Sequence, residues 1–232
     1  MRIGIDGLPL SEPRTGVGHY TFEVAYALAR LYPAISFELV SPRPFLPPLS
    51  SESEGLVLPV NLRTVQAKTN LLTKHWWSIG LPRYIRQNRI DLFHGTNFDV
   101  PLWNACPSVL TIHDLSSFSH PKTQLRRSVL RARRRLPLML RSASAIIAPS
   151  RSVRDEIGKQ MPFALHKTFV VPEAPREIFH PLAFEQTAEA RKRLSVADDF
   201  LLFVSTIEPR KNLGMLLAAY EELLRQMTSC PQ

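Results

Sequence analysis

Ile90-Asp-Leu-Phe-His94 and Pro107-Ser-Val-Leu-Thr-Ile-His113 decide the architecture of this chain. Each is a short apolar run that ends in a polar residue. Such runs read as strands buried on both faces, the environment of a parallel sheet. Working outward, Arg2 to Asp6, Ile35 to Val40, Leu56 to Val65, Ala145 to Ala148, Lys167 to Val171 and Phe200 to Val204 also read as strands. Helical periodicity fills the intervals. One helix runs from about Gly18 to Leu31, with Phe22, Ala25, Tyr26, Leu28 and Ala29 at helical spacing. Others cover Thr73 to Gln87 (kinked or interrupted at Pro82), a basic segment near 122–141, Ser150 to Lys159, Phe184 to Leu194, and a stretch opening at Leu213. Alternating strands and helices predict an α/β fold, a parallel sheet with helices on both faces. Pro42 to Glu54 reads as a mobile loop and Pro172 to Pro181 as a linker. The expected division is therefore 1–175 for the first domain, with 176–232 a linker and the incomplete start of a second α/β domain too short to bury a core of its own.

The 232 residues are 44% hydrophobic, ample for a packed core, and carry a net charge of +9 with a pI near 10.0. That sign suits an anionic partner: a phosphorylated substrate, an anionic lipid surface or nucleic acid. Nucleic acid ranks last, because no aromatics interleave the basic residues and no nucleic-acid motif is present. Two distant cysteines, Cys106 and Cys230, suit a reducing cytosol, and seven histidines without ligand spacing suggest no metal site. Met1 to Asp6 reads as a strand and not as a signal peptide, and no apolar run is long enough to cross a bilayer. The expectation is a cytoplasmic protein, peripheral to the inner face of a membrane if the basic helix docks there. That helix holds Arg126, Arg127, Arg131, Arg133, Arg134, Arg135 and Arg141, and its competing reading is a solvated outer surface.

Ligands of parallel sheets sit beyond the carboxyl ends of the strands, and polar residues gather there: Asp6, His94, His113, Asp114 and Ser150. His113 can donate to a sugar hydroxyl or a phosphate oxygen, and Asp114 can fix nearby geometry. His94 and Asn97 hold a similar position after the preceding strand. Thr15-Gly-Val-Gly-His-Tyr-Thr21 is a glycine-rich turn into a helix, where Gly16 and Gly18 would let backbone N–H groups face an oxyanion. No third glycine completes a dinucleotide fingerprint. Ser150 is a natural helix N-cap, and Glu173 in Pro-Glu-Ala-Pro could line a cleft, although a solvated hinge residue is the simpler reading. Late in the chain, Phe203-Val-Ser-Thr-Ile-Glu-Pro-Arg-Lys-Asn-Leu213 runs from strand to turn to helix, with Arg210 and Lys211 in the turn; the pattern favours a bound anion.

Taken in order, Ile5-Asp6, Thr15 to Tyr20, Phe93-His-Gly-Thr-Asn97, Thr111 to Leu115, Ala148-Pro-Ser150 and Ser205 to Asn212 resemble the retaining glycosyltransferases of the two-Rossmann GT-B fold, known as family 4 or group 1. The resemblance implies a Rossmann-like acceptor-side domain followed by the start of a nucleotide-sugar domain. It further implies sugar transfer with retention from a donor such as a GDP- or UDP-sugar to a glycan or lipid-linked acceptor. In that reading His113 contacts the donor sugar, the Gly16–Gly18 loop approaches the donor diphosphate or the acceptor, Arg210 and Lys211 hold the diphosphate, and His94, Asn97, Asp114 and Ser150 line the acceptor side of the cleft. No metal is expected, in keeping with the lack of an Asp-x-Asp motif. The family's Glu-x7-Glu signature has no counterpart here, so the resemblance also implies a truncated chain, inactive alone. The alternative is a non-catalytic acceptor- or membrane-surface-binding module.

Overall fold

The computed structural model describes residues 1–46, 58–71, 73–103, 105–123, 125–176, 178–197 and 199–227, without the side chains of Thr123, Ser128 and Arg210. Cys230, the start of the strand expected at Leu56 and most of the Pro42 to Glu54 loop lie outside them. The chain divides into two compact units. One is Met1–Ser119 with Arg126–Ala174, and the other is His120–Leu125 with Pro175–Gln232.

The first unit is built on strands β1 (Arg2–Asp6), β2 (Ser36–Ser41), β3 (Leu62–Gln66), β4 (Leu92–Gly95), β5 (Ser108–Thr111), β6 (Ala145–Ala148) and β7 (Thr168–Val170). They form a seven-stranded, all-parallel sheet among the described residues, in the order β3-β2-β1-β4-β5-β6-β7. The order reverses between β1 and β4, and there the crossovers diverge and open a crevice at the strands' carboxyl ends. Helix α1 (Gly16–Leu31) packs Phe22, Ala25 and Ala29 on Ile5, Phe37, Leu39 and Leu62. The opposite face carries α2 (Leu81–Asn88), whose Leu81 and Ile85 meet Val40, Ile90 and Phe93. Adjacent β2 residues Leu39 and Val40 thus serve opposite layers, as the two-residue period of a strand requires. A Cβ on Gly4 of β1 would stand 3.1 Å from the Phe93 ring, so the bare backbone is what lets that ring lie across the sheet. Beyond β5, the short α3 (Ser116–Ser119) leads to α4 (Arg126–Ser142), and α5 (Arg151–Gln160) joins β6 to β7. Leu136, Met139 and Leu140 of α4 and Ile157 of α5 bury against Leu110, Ile112 and Ile146.

Buried inside the sheet, Glu38 of β2 is held by Arg2 Nε at 3.2 Å, by Arg63 and by the Tyr84 hydroxyl of α2 at 2.7 Å. A fully buried carboxylate needs such partners, since desolvating an unpaired one costs several kcal/mol.

The helices expected from Thr73 and near 122–141 differ from expectation. The segment after Thr73 is π-helical over Trp76–Gly80 and becomes α-helical only at Leu81, with Pro82 in its first turn where a missing N–H is harmless. The basic helix begins at Arg126; Pro121–Thr123 is a separate 3-10 turn.

The second unit holds α6 (Phe184–Leu194), a 3-10 turn at Pro209–Lys211 and α7 (Leu213–Gln226). Phe200 to Val204, expected as a buried strand, pairs with no strand among the described residues, and its side chains are 39% to 82% exposed. The correction is physical: a parallel strand is stabilised by ladders to its neighbours, and this unit supplies none among the described residues.

Candidate functional site

The crevice at the carboxyl ends of β1, β4 and β5 is a continuous hydrogen-bonded cluster. Thr21 of α1 donates to the Thr96 hydroxyl at 2.7 Å, which donates to the Asp6 carbonyl at 3.3 Å. The Thr96 carbonyl accepts from His113 Nε2 at 2.8 Å, so that nitrogen carries a proton. The other ring nitrogen, Nδ1, lies 3.0 Å from Glu173 Oε1. Tyr20 of α1 presents a ring nearly perpendicular to that of His113, with centroids 4.8 Å apart, and its hydroxyl is 3.1 Å from Thr111 Oγ1. The same Thr111 oxygen is 2.8 Å from His94 Nε2. His113 is therefore held on three sides, and Nδ1 is the position for which a ligand can compete with the half-exposed Glu173.

Burial sets the charge states. His94 is pushed down to about 4 by desolvation and by the neighbouring His113, so it is a neutral imidazole at physiological pH. Asp6 is raised to about 8, chiefly by complete burial, although the Leu8 N–H donates to its carboxyl at 3.0 Å. Asp99 is raised to about 6 by burial, against the pull of Arg135, whose Nε lies 2.7 Å from Asp99 Oδ1 but off the N–H direction.

The loop after β4 is tightly folded. A Cβ on Gly95 would collide with the Asp99 carbonyl, and Phe98 adopts a φ of 62°, the left-handed region that bulky residues avoid. Such strain persists only where the surroundings over-determine it, and it brings Phe98 and Asp99 back over the strand end. Asn97 in this loop is half-buried, and its side chain makes no hydrogen bond among the described residues. Asp114 Oδ1 accepts from Ser116 N at 2.9 Å and Ser116 Oγ at 2.7 Å, which anchors α3. Ser150 caps α5 by accepting from Val153 N at 3.2 Å, the structural role its position suggested.

Both glycines of the Gly16–Gly18 stretch lie in the first turn of α1, two residues earlier than the expected helix start. A Cβ on Gly16 would meet nothing within 4 Å, whereas one on Gly18 would press on the Pro9 carbonyl at 3.1 Å. Packing therefore explains Gly18 and leaves Gly16 unexplained. Arg210 and Lys211 lie in the 3-10 turn of the second unit, followed by Asn212 at a φ of 52°. The structure thus brings together Asp6, His94 and His113, with Asn97 and Asp114 on the adjoining loops. Sequence reasoning missed Tyr20, Thr96, Thr111 and the Asp99–Arg135 pair, and it read Glu173 as a solvated hinge. Tyr20, Thr96 and Thr111 lay inside segments already singled out and Arg135 in the basic helix; Asp99 carried no local signal. Among the described residues no group of three or more His, Cys, Asp or Glu side chains could hold a metal ion, and no helix is long and apolar enough to cross a membrane.

Residues 14–174, more than half of the chain, match the family described as Glycosyltransferase Family 4. The O-antigen chain mannosyltransferase B of Escherichia coli is 24% identical over 223 residues, which are 93% of this chain and 58% of that protein. Among solved structures, Anabaena Alr3699/HepE in complex with UDP-glucose is similar with a TM-score of 0.56, and its complex with UDP and glucose with 0.54. Both are 17% identical and cover 86% of this chain and 51% of theirs, a likeness that speaks for the fold. The chain thus spans little more than half the length of the relatives it matches.

Proposed function

Since this chain belongs to Glycosyltransferase Family 4, with the parallel α/β sheet of one half of a GT-B fold, we propose that it serves sugar transfer from a nucleotide-sugar to a hydroxyl acceptor, with retention of configuration. In that reaction the bond from the anomeric carbon to the diphosphate oxygen breaks. The acceptor oxygen takes the carbon, and its proton ends on the departing diphosphate. The observation that carries the reading is His113: its Nε2–H is fixed by the Thr96 carbonyl, its ring is braced by Tyr20, and Nδ1 faces the crevice side held by Glu173. A sugar hydroxyl that replaces Glu173 at Nδ1 would be oriented before reaction, which is where positioning lowers a barrier. Arg210 and Lys211 are the groups assigned to the charge that grows on the leaving diphosphate. A UDP- or GDP-sugar is the donor class, in keeping with the UDP-glucose in the Anabaena complex, and a glycan or lipid-linked glycan is the acceptor class. No metal has a part in this scheme.

The test is release of nucleoside diphosphate from UDP- and GDP-sugars with the second half of a family 4 enzyme supplied in trans, compared between wild type and His113→Ala. A loss of about a hundredfold or more in turnover, with an unchanged circular dichroism spectrum, is the expected result. Turnover equal to wild type would remove His113 and the reading with it.

A second reading, attachment to an anionic bilayer surface, is favoured by one observation. Arg126, Arg127, Arg131 and Arg134 of α4 are exposed and make no ion pair among the described residues, and the exposed Leu130 and Leu138 lie between them on the same helical face.

A further inference from the structure

Glu173 stands near the end of the first unit, on the stretch that follows β7, and its Oε1 is 3.0 Å from His113 Nδ1. The opposite nitrogen of the same ring is already committed. Nε2 faces the Thr96 carbonyl at 2.8 Å, and a carbonyl oxygen only accepts. A neutral imidazole has one N–H. With Nε2 as donor, its Nδ1 would turn a lone pair toward a carboxylate that also only accepts. Two acceptors are not held at that distance without a proton between them. Imidazole is the stronger base of the two groups, so the proton belongs on the ring. We propose that Glu173 is the positioning residue of His113: its carboxylate keeps a second proton on Nδ1, and the ring stands in the crevice as a cation with a donor at each nitrogen. Its part in sugar transfer rests on the transfer reading; the protonated pair stands on the geometry.

The remaining groups that face His113 among the described residues do not serve this purpose. His94 of β4 is pushed down to about 4 by burial and by His113, so it is neutral and does not compete for the proton. Tyr20 of α1 is raised by burial, against the hydrogen bond from Thr111, and raised again by the charge of Glu173, so it stays a phenol. Asp114, the next residue along the chain, has Oδ1 engaged by Ser116 N and Oγ. The approach of Glu173 is built into the backbone. The Val171 N–H donates to the Ala148 carbonyl at 2.9 Å, and the fixed φ of Pro172 carries the chain on to Glu173.

Exposure divides the pair unequally: the His113 side chain is 16% exposed and that of Glu173 46%. The imidazolium is thus held by the fold, while its counter-charge stands where a ligand can reach it. A hydroxyl that arrives at Nδ1 accepts from the ring and passes its own proton to Oε1, which leaves both charges paired. Glu173 would then orient the ligand through the ring that it keeps charged.

Long-range 1H–15N spectra of the histidine rings in the whole chain, recorded from about pH 5 to pH 8, test the proposal in wild type and Glu173→Gln. His113→Asn identifies the signal, and the neutral His94 is the internal reference. Gln keeps a hydrogen bond to the ring by donating its amide to Nδ1, so the variant removes the charge and not the contact. The expected result is an Nδ1 that carries a proton in the wild type at pH 6, with proton affinity lower on the order of tenfold in Glu173→Gln. Superimposable curves in the two proteins, or an unprotonated Nδ1 in the wild type at pH 6, would overturn it. The two readings fail separately. A ring titration that follows Glu173, with His113→Ala as active as wild type, would keep the proton pair and remove the transfer reading. Transfer lost in His113→Ala, with the ring indifferent to Glu173→Gln, would do the reverse.

Discussion

Asp6 carries a carboxyl group that water does not reach, and this has a consequence for stability. Its ionisation is raised from the ordinary 3.8 to about 8, mainly by burial. The folded chain therefore holds a proton that the unfolded chain has released between those values, and stability falls as pH rises through that window. Asp6→Asn keeps an oxygen for the Leu8 N–H but has no proton to lose. Urea unfolding at pH 5, 6.5 and 8 should show the variant gaining on wild type at each step; parallel curves would mean that Asp6 ionises freely. His94 acts in the opposite sense. Lowered to about 4, it contributes stability that is present above its usual 6.5 and lost as pH falls, a term common to both proteins in this comparison. Glu173 shows the limit of residue-level reading: its Pro-Glu-Ala-Pro neighbours describe a hinge, and only the fold brings His113 to within 3.0 Å of it.

Helix α5 starts where its sequence says it should, because Ser150 satisfies the Val153 N–H from within the same turn. Ser150→Ala should cost about 1 kcal/mol in chemical denaturation without affecting transfer. A far larger effect would give the hydroxyl a role beyond capping. Helix α4 makes a different demand on its seven arginines. Arg135 is tied to Asp99, while Arg133 and Arg141 lie against Phe118 and Phe163. Arg126, Arg127 and Arg134 are left on the outer face. If that face meets anionic lipid, each contributes on the order of 1 kcal/mol. Changing these three to Gln should then weaken sedimentation with phosphatidylserine vesicles by roughly a hundredfold, and raised salt should act in the same direction. Identical sedimentation of variant and wild type would leave α4 as a solvated outer helix.

Among the described residues the buried apolar clusters are formed by the first unit, and neither α6 nor α7 has a buried residue. Cooperative unfolding follows buried apolar surface. A chain of residues 1–174 should therefore melt within about 3 °C of the whole chain by calorimetry, a shift that corresponds to under roughly 1 kcal/mol. A large fall would mean that the first unit is not stable by itself. At this scale the amino-acid sequence alone determined the alternation of strand and helix, the parallel sheet, the N-cap at Ser150 and the family, because each rests on local periodicity or on short motifs. The placement of Asp6, His94 and His113 at strand ends was also legible, since an apolar run stops where its polar residue leaves the sheet. Strand order was not. Only the tertiary structure put β4 beside β1, laid Tyr20 against His113, seated Asp99 on Arg135 and left Phe200 to Val204 without a partner strand among the described residues. The reason is that a strand's apolar pattern states that it will be buried, while its neighbours, and hence its hydrogen-bond ladders and the contacts at its end, are set by crossovers between residues distant along the chain.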